Sequence, residues 1–404
     1  MATASSNRWA AEMFMRIPWV GLVALVLAWP TPVLAQLGRQ LESGGVSWTP
    51  AVALRDVGTD SNVFGEPGDG RSDRVMTFTP SVQAKGTTRR LSLQGDGLLD
   101  FVYYERFVQE RGIQRRGNGR VEFEFGRISP FVTGGYANAR ERQPDVDLRV
   151  RHRDRTVGAG VSTAISGNGT IEVALSNMKT RFAGGTQYQG VDLATALDRT
   201  TRNLNLGLRY RLTALTNLGL DASIVRDNYV YDPNKKTEDR RIFGSVIFAP
   251  DAVLKGRVLF GYHAVRVKFP FGVPYKGVLA DVNVGYTFKE SSRFNLRYLR
   301  DTNVSFDSPY NVQRQYGIDL VQDLLGPLKA TAGASRQVTQ HALSPLVNQK
   351  ARLEHYDSYA VGLAFLWSTS IKSTLAYDVQ EKRSSFPGEN TRRKRLLASF
   401  SIVL

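Results

Sequence analysis

The chain has 404 residues, 42% of them hydrophobic and 22% charged, with a formal charge of +16 and no cysteine. The lack of cysteine excludes a disulfide frame, a thiolate metal site and a lipidated N-terminal cysteine. Mean hydropathy is −0.26, and no stretch beyond residue 35 approaches the ~18 apolar residues of a spanning helix, so any crossing of a membrane falls to strands.

Residues 1–35 have the layout of a signal peptide. Arg8 and Arg16 flank a polar start, Ile17 to Trp29 is almost wholly apolar, and Val33-Leu34-Ala35 offers small residues for cleavage after Ala35. Residues 36–45 are expected to form a short periplasmic segment. No Pro/Gly/Ser linker or shift of composition divides residues 46–404, which read as one domain.

That domain is a series of hairpins joined alternately by short and long connections. The short ones are Lys85-Gly86-Thr87, Gly126-Arg127-Ile128-Ser129, Ser166-Gly167-Asn168-Gly169, Thr213-Ala214-Leu215-Thr216, Pro250-Asp251, Glu290-Ser291-Ser292, Leu325-Gly326-Pro327 and Ser368-Thr369-Ser370. Longer polar stretches lie between them, for example Gly58 to Arg74, Ala183 to Arg199 and Thr339 to Leu353. Short turns on one rim and long loops on the other predict an all-β fold, a transmembrane antiparallel up-and-down β-barrel of the outer membrane of a Gram-negative bacterium. The count is about eighteen strands, with sixteen as the alternative, from a first strand over 46–56 to a last over 391–404. Pro50 suits the first strand only at an edge or a strand start. An even count puts both termini on the periplasmic side, and eighteen strands leave a water-filled lumen.

The strands alternate. Leu204, Leu206, Leu208, Tyr210 and Leu212 share one face, and Asn203, Asn205, Gly207, Arg209 and Arg211 the other. Val278, Ala280, Val282, Val284, Tyr286 and Phe288 likewise oppose Gly277, Leu279, Asp281, Asn283, Gly285 and Thr287. A period of two gives a lipid face and a lumen face. Tyr103, Tyr104, Tyr229, Tyr231, Phe269, Phe271 and Tyr310 near long-loop ends are expected to form one interfacial girdle. Phe125, Phe131, Phe248, Phe288 and Trp367 near short turns are expected to form the other.

The same register sorts the charges. Arg120, Arg209, Arg211, Lys255, Arg257, Arg293, Arg297 and Lys372 fall on the lumen face, with Asp96, Asp100, Glu122, Glu124, Glu172, Asp221, Asp281, Asp319 and Asp378. These signs balance, which argues against a strongly anion-selective pore. The positive surplus lies at the loop ends of the lipid-facing rows, in Arg155, Arg202, Arg226, Arg266, Lys276, Arg300, Arg314, Arg392 and Lys394. There, arginine forks suit the phosphates of an outer-leaflet glycolipid. Plain solvation of the strand ends is the simpler account of the same residues. A secreted barrel holds this charge away from nucleic acid, so no such partner is expected.

Three upward strand ends share a pattern: Asp60-Ser61-Asn62-Val63-Phe64, Arg226-Asp227-Asn228-Tyr229-Val230-Tyr231 and Arg300-Asp301-Thr302-Asn303-Val304-Ser305-Phe306. Asp and Asn favour such exits by bonding their own backbone, and the spacing lacks the calcium loop of an EF-hand. Thr59-Asp60-Ser61-Asn62-Val63-Phe64, with Ser72-Asp73-Arg74 and Phe78-Thr79-Pro80-Ser81-Val82, resembles the opening of the β-barrel porin 2 family, barrels associated with exopolysaccharide pathways. The resemblance implies a conduit or accessory for exopolysaccharide export. It also implies barrel-assembly machinery and periplasmic export components as partners, and it brings no catalytic residues. One departure is the end, Phe400-Ser401-Ile402-Val403-Leu404, where such barrels commonly finish on an aromatic residue.

A general diffusion porin for small solutes is the alternative reading, and a barrel enzyme a third. Nucleophilic catalysis needs a base beside its nucleophile. His152, His263, His341 and His355 show no His-x-Ser pattern or His-Asp dyad in sequence. No catalytic residue, metal ligand or cofactor is expected.

Overall fold

The computed structural model describes residues 41–404 except 44, 69, 143–148, 189, 233–235, 269–272, 290, 304–309 and 343–351. The expected signal peptide lies outside the described residues, as do Phe269 and Phe271 of the aromatic set and Val304, Ser305 and Phe306 of the third repeat.

Eighteen long strands form the wall. The first nine are β1 (Val46–Asp60), β2 (Asp73–Thr87), β3 (Leu91–Tyr104), β4 (Gly112–Phe123), β5 (Ile128–Arg142), β6 (Arg149–Ala164), β7 (Gly169–Phe182), β8 (Arg199–Arg211) and β9 (Thr216–Tyr229). They continue as β10 (Lys236–Phe248), β11 (Leu254–Val267), β12 (Tyr275–Phe288), β13 (Ser292–Asn303), β14 (Asn311–Leu325) and β15 (Leu328–His341). The last are β16 (Leu353–Leu366), β17 (Ile371–Ser384) and β18 (Thr391–Val403). Each pairs antiparallel with its sequence neighbours, and β1 pairs with β18, from Ala51↔Val403 to Asp60↔Arg395. Closure leaves no strand edge to be desolvated in lipid, so this is a transmembrane barrel. A short strand, Leu41–Ser43, folds back on Val46–Trp48 at the start of β1.

The register fixes which way each residue points. Leu204 pairs with Ile224, Leu206 with Ala222 and Leu208 with Leu220, and these rows continue into Ile242, Phe260 and Tyr262 of β10 and β11. Leu206, Leu220, Ile242 and Phe260 are half exposed or more despite being apolar, as an outer wall facing lipid requires. The strands run from 12 to 16 residues, longer than the ~9–11 needed to cross a bilayer. Their loop ends therefore rise beyond the hydrocarbon, where the charged rows lie.

Two local features depart from the expected pattern. The first turn lies at residues 88–90, where Thr88 Oγ1 accepts from the Leu91 amide at 3.2 Å. Lys85, Gly86 and Thr87, expected to be that turn, remain in the ladder opposite Gln94, Leu93 and Ser92. The hydroxyl of Thr88 closes the turn, a role its neighbours do not supply. In β1 a bulge between Leu54 and Val57 puts Asp56 at a φ of 56° and shifts the face by one residue. Pro50 sits within the wall, pairing with Val82, and its carbonyl accepts from the Leu404 amide at 2.8 Å.

Candidate functional site

Two of the long connections turn inward. In residues 61–72 the Asn62 amide donates to Asp60 Oδ1 at 3.0 Å, and the Asn62 side chain donates to the Arg392 carbonyl at 3.2 Å. Val63 then packs, fully buried, against Val75, Tyr104 and Leu397 on the inner wall. Arg71 lies 4.1 Å over the Phe64 ring and pairs with Glu66, so hydrogen bonding from Arg71 holds the Glu66 carboxyl below its usual range. The second connection, residues 183–198, carries a short helix α1 (Leu193–Leu197) whose Leu193 and Leu197 pack on Val150 and Phe182. Its cap is Asp192, which accepts from the amides of Ala194 at 2.8 Å and Gly185 at 2.7 Å. Amide bonds from Gly185, Thr195 and Ala194 hold the Asp192 carboxyl below its ordinary range.

Beneath these loops the inner wall encloses two polar spaces. One, of about 190 Å³, is bordered by Arg55, Asp60, Asp100, Tyr104, Gln114 and Arg393. The other, of about 380 Å³, is bordered by Gln315, Gln337, Tyr356, Gln380, Lys382 and Arg393, with Gly65 of the first loop against it. Arg393 borders both. Its guanidinium forks onto Asp60, with Nε 2.9 Å from Oδ1, and Asp60 is 1% exposed.

The candidate lumen residues occupy the face opposite the apolar rows, and many meet as opposite charges. Arg209 holds Asp221 through two bonds of 2.8 Å, Arg297 holds Asp319 at 2.8 Å, and Arg257 holds Asp281. Asp378 lies against Arg395 at 3.0 Å, and Asp100 accepts from Thr79 at 2.6 Å beside Arg55. Arg120 meets Glu122 at 2.9 Å and reaches across β5 and β6 to Glu172 at 3.2 Å. Arg293 and Lys329 share Asp323, and Arg211 donates to Asn168 at the short turn. No ion pair among the described residues involves Asp96, Lys255 or Lys372. Glu124 stands past the end of β4, in the turn rather than in the wall.

Arg55, Lys382, Arg393 and Arg395 escaped the sequence reading, and Asp60 and Tyr104 entered it only as a strand exit and an interfacial ring. Arg393 and Arg395 belong to the basic run Arg392-Arg393-Lys394-Arg395, where alternation sends two side chains inward and two outward. Strict alternation would have found them. Arg55 lies beside the bulge, where alternation fails.

The aromatic expectation needs correction. Phe125, Phe288 and Trp367 are exposed on the outer wall. Phe131 instead points inward, 4% exposed, with the Arg120 guanidinium 3.5 Å over its ring. It fits because Gly160 lies opposite: a Cβ there would stand 2.4 Å from Phe131 Cζ. Tyr104 and Tyr229 are buried on inner positions, and Tyr310 packs at a tilt against Tyr275, which packs on His263. Headgroup chemistry does not govern these rings; packing against the inner wall does.

The candidate belt residues lie on the outer rows. Arg226 and Arg266 flank Glu238, and Arg300 pairs with Arg314. Arg155 faces Lys179, Arg202 faces Arg226, Lys276 faces Ala264 and Lys394 faces Val379. Carboxylates interrupt the belt: Glu238 binds Arg226 and Arg240 at 2.8 and 2.7 Å, and Glu381 binds Arg392 at 3.2 Å. Arg336 and Arg383 join it through Asp357.

His263 sits buried with Asp239 and Thr302 both 3.4 Å from the same ring nitrogen, Nδ1. Both partners meet one ring nitrogen, whereas a triad sets the carboxylate and the hydroxyl on opposite nitrogens of the ring. No group of three or more His, Asp or Glu among the described residues is placed to hold a metal ion.

A closed eighteen-strand wall, an apolar outer band and inward-folded loops over a polar lumen decide the architecture. It is an outer-membrane porin fold. OpdK of Pseudomonas aeruginosa, solved with vanillate, superposes with a TM-score of 0.50 over 88% of this chain and 99% of its own, at 11% identity. OccK2 (OpdF) of Pseudomonas aeruginosa, solved in complex with glucuronate, superposes with a TM-score of 0.50 over 88% of this chain and 98% of its own, also at 11% identity. At that identity the likeness is one of fold. No family model matches the sequence, and no curated protein does.

Proposed function

We propose that the barrel is a channel for small polar solutes, selective where its loops narrow the lumen. A first loop folded onto the inner wall beside a polar space of small-molecule size carries this reading: the larger space, of about 380 Å³, falls within the ~300–1,000 Å³ of small-molecule sites, and the space of about 190 Å³ adjoins it at Arg393. Arginine forks suit carboxylates and the amides of Gln315, Gln337 and Gln380 suit hydroxyl groups, so small hydroxylated or carboxylated solutes are the proposed substrates. The solutes in the two similar structures, vanillate and glucuronate, are of that class. The candidate lumen residues, joined by Arg55, Asp60 and Arg393, form the proposed path.

The exopolysaccharide reading now ranks second. It rests on the opening motif, and in this fold Asp60, Asn62 and Val63 fasten the first loop to the wall. A polymer conduit would require that loop to leave the lumen and periplasmic export components to feed it. Swelling of proteoliposomes in a size series decides between them. Uptake of monosaccharide-sized solutes with a sharp loss for oligosaccharides is expected. Loss of surface polysaccharide on gene deletion, with small-solute uptake intact, would restore the export reading.

A further inference from the structure

The outer wall carries a trough on its lipid face. Along β15 the outward positions are Ala330, Ala332 and Ala334, whereas the flanking strands present Ile318, Leu320, Tyr359 and Val361 in the same rows. The truncated side chains leave a depression of about 510 Å³ with almost no polar lining, reaching Phe294 on one side and Tyr377 on the other. A hollow in a wall bathed by hydrocarbon forfeits dispersion contacts unless an acyl chain fills it.

The rows above the trough, toward the long loops, are cationic. One outward step along a strand, roughly 7 Å, leads from Ala334 to Arg336 and from Tyr359 to Asp357. That row continues into Glu381 and Arg392, and the next holds Arg300 and Arg314. With Arg383 and Lys394 the region sets six cations against Asp357 and Glu381. Asp357 is 2% exposed beneath Arg336 and Arg383, whose side chains remain 55% and 62% exposed. Their remaining N–H donors therefore face outward, at the height of lipid headgroups. Tyr298 and Tyr316, with ring centroids 5.2 Å apart, continue the Arg336 row on the other side, where amphipathic rings suit the headgroup level.

We propose that this sector, β13 to β17, is a binding site for one phosphorylated glycolipid of the outer leaflet, an acyl chain lying in the alanine trough and a phosphate on Arg336 and Arg314. A second barrel is the competing occupant. In a two-fold interface centred on the trough, each copy would set its arginine rows against the same rows of its partner, and like charges disfavour that contact.

The full-length barrel, extracted in mild detergent and exchanged into phospholipid nanodiscs, is loaded with lipid A that carries or lacks its phosphates, and retained lipid is read by native mass spectrometry. Retention of one phosphorylated molecule, about tenfold over the dephosphorylated form, is expected from charge-assisted contacts. Filling the trough with Ala332→Phe and Ala334→Trp, or the milder Ala334→Leu if the larger pair does not fold, lowers retention while channel conductance stays unchanged. Arg314→Gln with Arg336→Gln lowers it for the phosphorylated form alone. Leu175→Ala, exposed on the outer face of β7 across the barrel, leaves it unaltered. Equal retention of both lipids, indifference to trough filling, or barrel dimers that dissociate when the trough is filled would overturn the site.

Discussion

Asp60 and Arg393 join the first and last strands across the seam of the barrel and anchor the first loop in the lumen. Asp60→Asn leaves a largely buried guanidinium without its counter-charge, and urea unfolding in micelles is expected to register a loss of about 3 kcal/mol. Hydrogen exchange over residues 61–72 should accelerate in the same variant. Glu238→Gln removes a partner from the exposed outer pair with Arg226 and should cost below ~1 kcal/mol by the same assay. Equal losses in the two variants would mean that the seam pair does not anchor the loop. Gly160→Ala tests the inner wall: its Cβ would meet Phe131 and, at 2.5 Å, the Val173 carbonyl. A loss of ~1–3 kcal/mol is expected from overpacking, and Phe131→Ala in the same chain should recover part of it.

In the proposed function selectivity depends on the inward loops, and α1 offers a handle on one of them. The Asp192 carboxylate accepts three amide bonds, and its folded pKa lies below the ordinary carboxylate value. A depressed carboxylate pKa stabilises the docked loop above the unfolded pKa, and that contribution is lost as pH falls through the folded one. Proteolysis of residues 183–198 is therefore expected to be flat from neutrality to about pH 5 and to rise only in acid, below about pH 4. Asp192→Ala should raise it several-fold at neutral pH and remove the acid dependence. The sequence disclosed the wall better than these loops. Strands such as β8 and β12 keep a period of two over most of their length, because one face meets lipid and the other water. Loop residues Val63, Leu193 and Leu197 carry no such period; that they are buried depends on which wall residues lie nearby, which no local spacing records. Asp56 breaks the alternation of β1, so Arg55 lay beyond reach. Phe131 looked like a girdle residue because the glycine that makes room for it, Gly160, lies on another strand.

At the scale of the whole molecule, the formal charge of +16 does not describe the pore. The inner carboxylates Asp60, Asp100, Asp221, Asp281, Asp319 and Asp378 each lie against an arginine. Reversal potentials under a salt gradient are expected to show only weak preference between cations and anions, and strong anion selectivity would contradict that pairing. In the proposed function the first loop, folded onto the inner wall, narrows this barrel to a channel for small solutes. Single-channel recording in a planar bilayer tests it most directly, comparing the full chain with a variant whose residues 62–71 are replaced by a short Gly-Ser linker. A small conductance is expected in the full chain, interrupted in a concentration-dependent way by small hydroxylated or carboxylated solutes, and a larger conductance without interruptions in the variant. Identical conductance and identical solute block in the two proteins would contradict it.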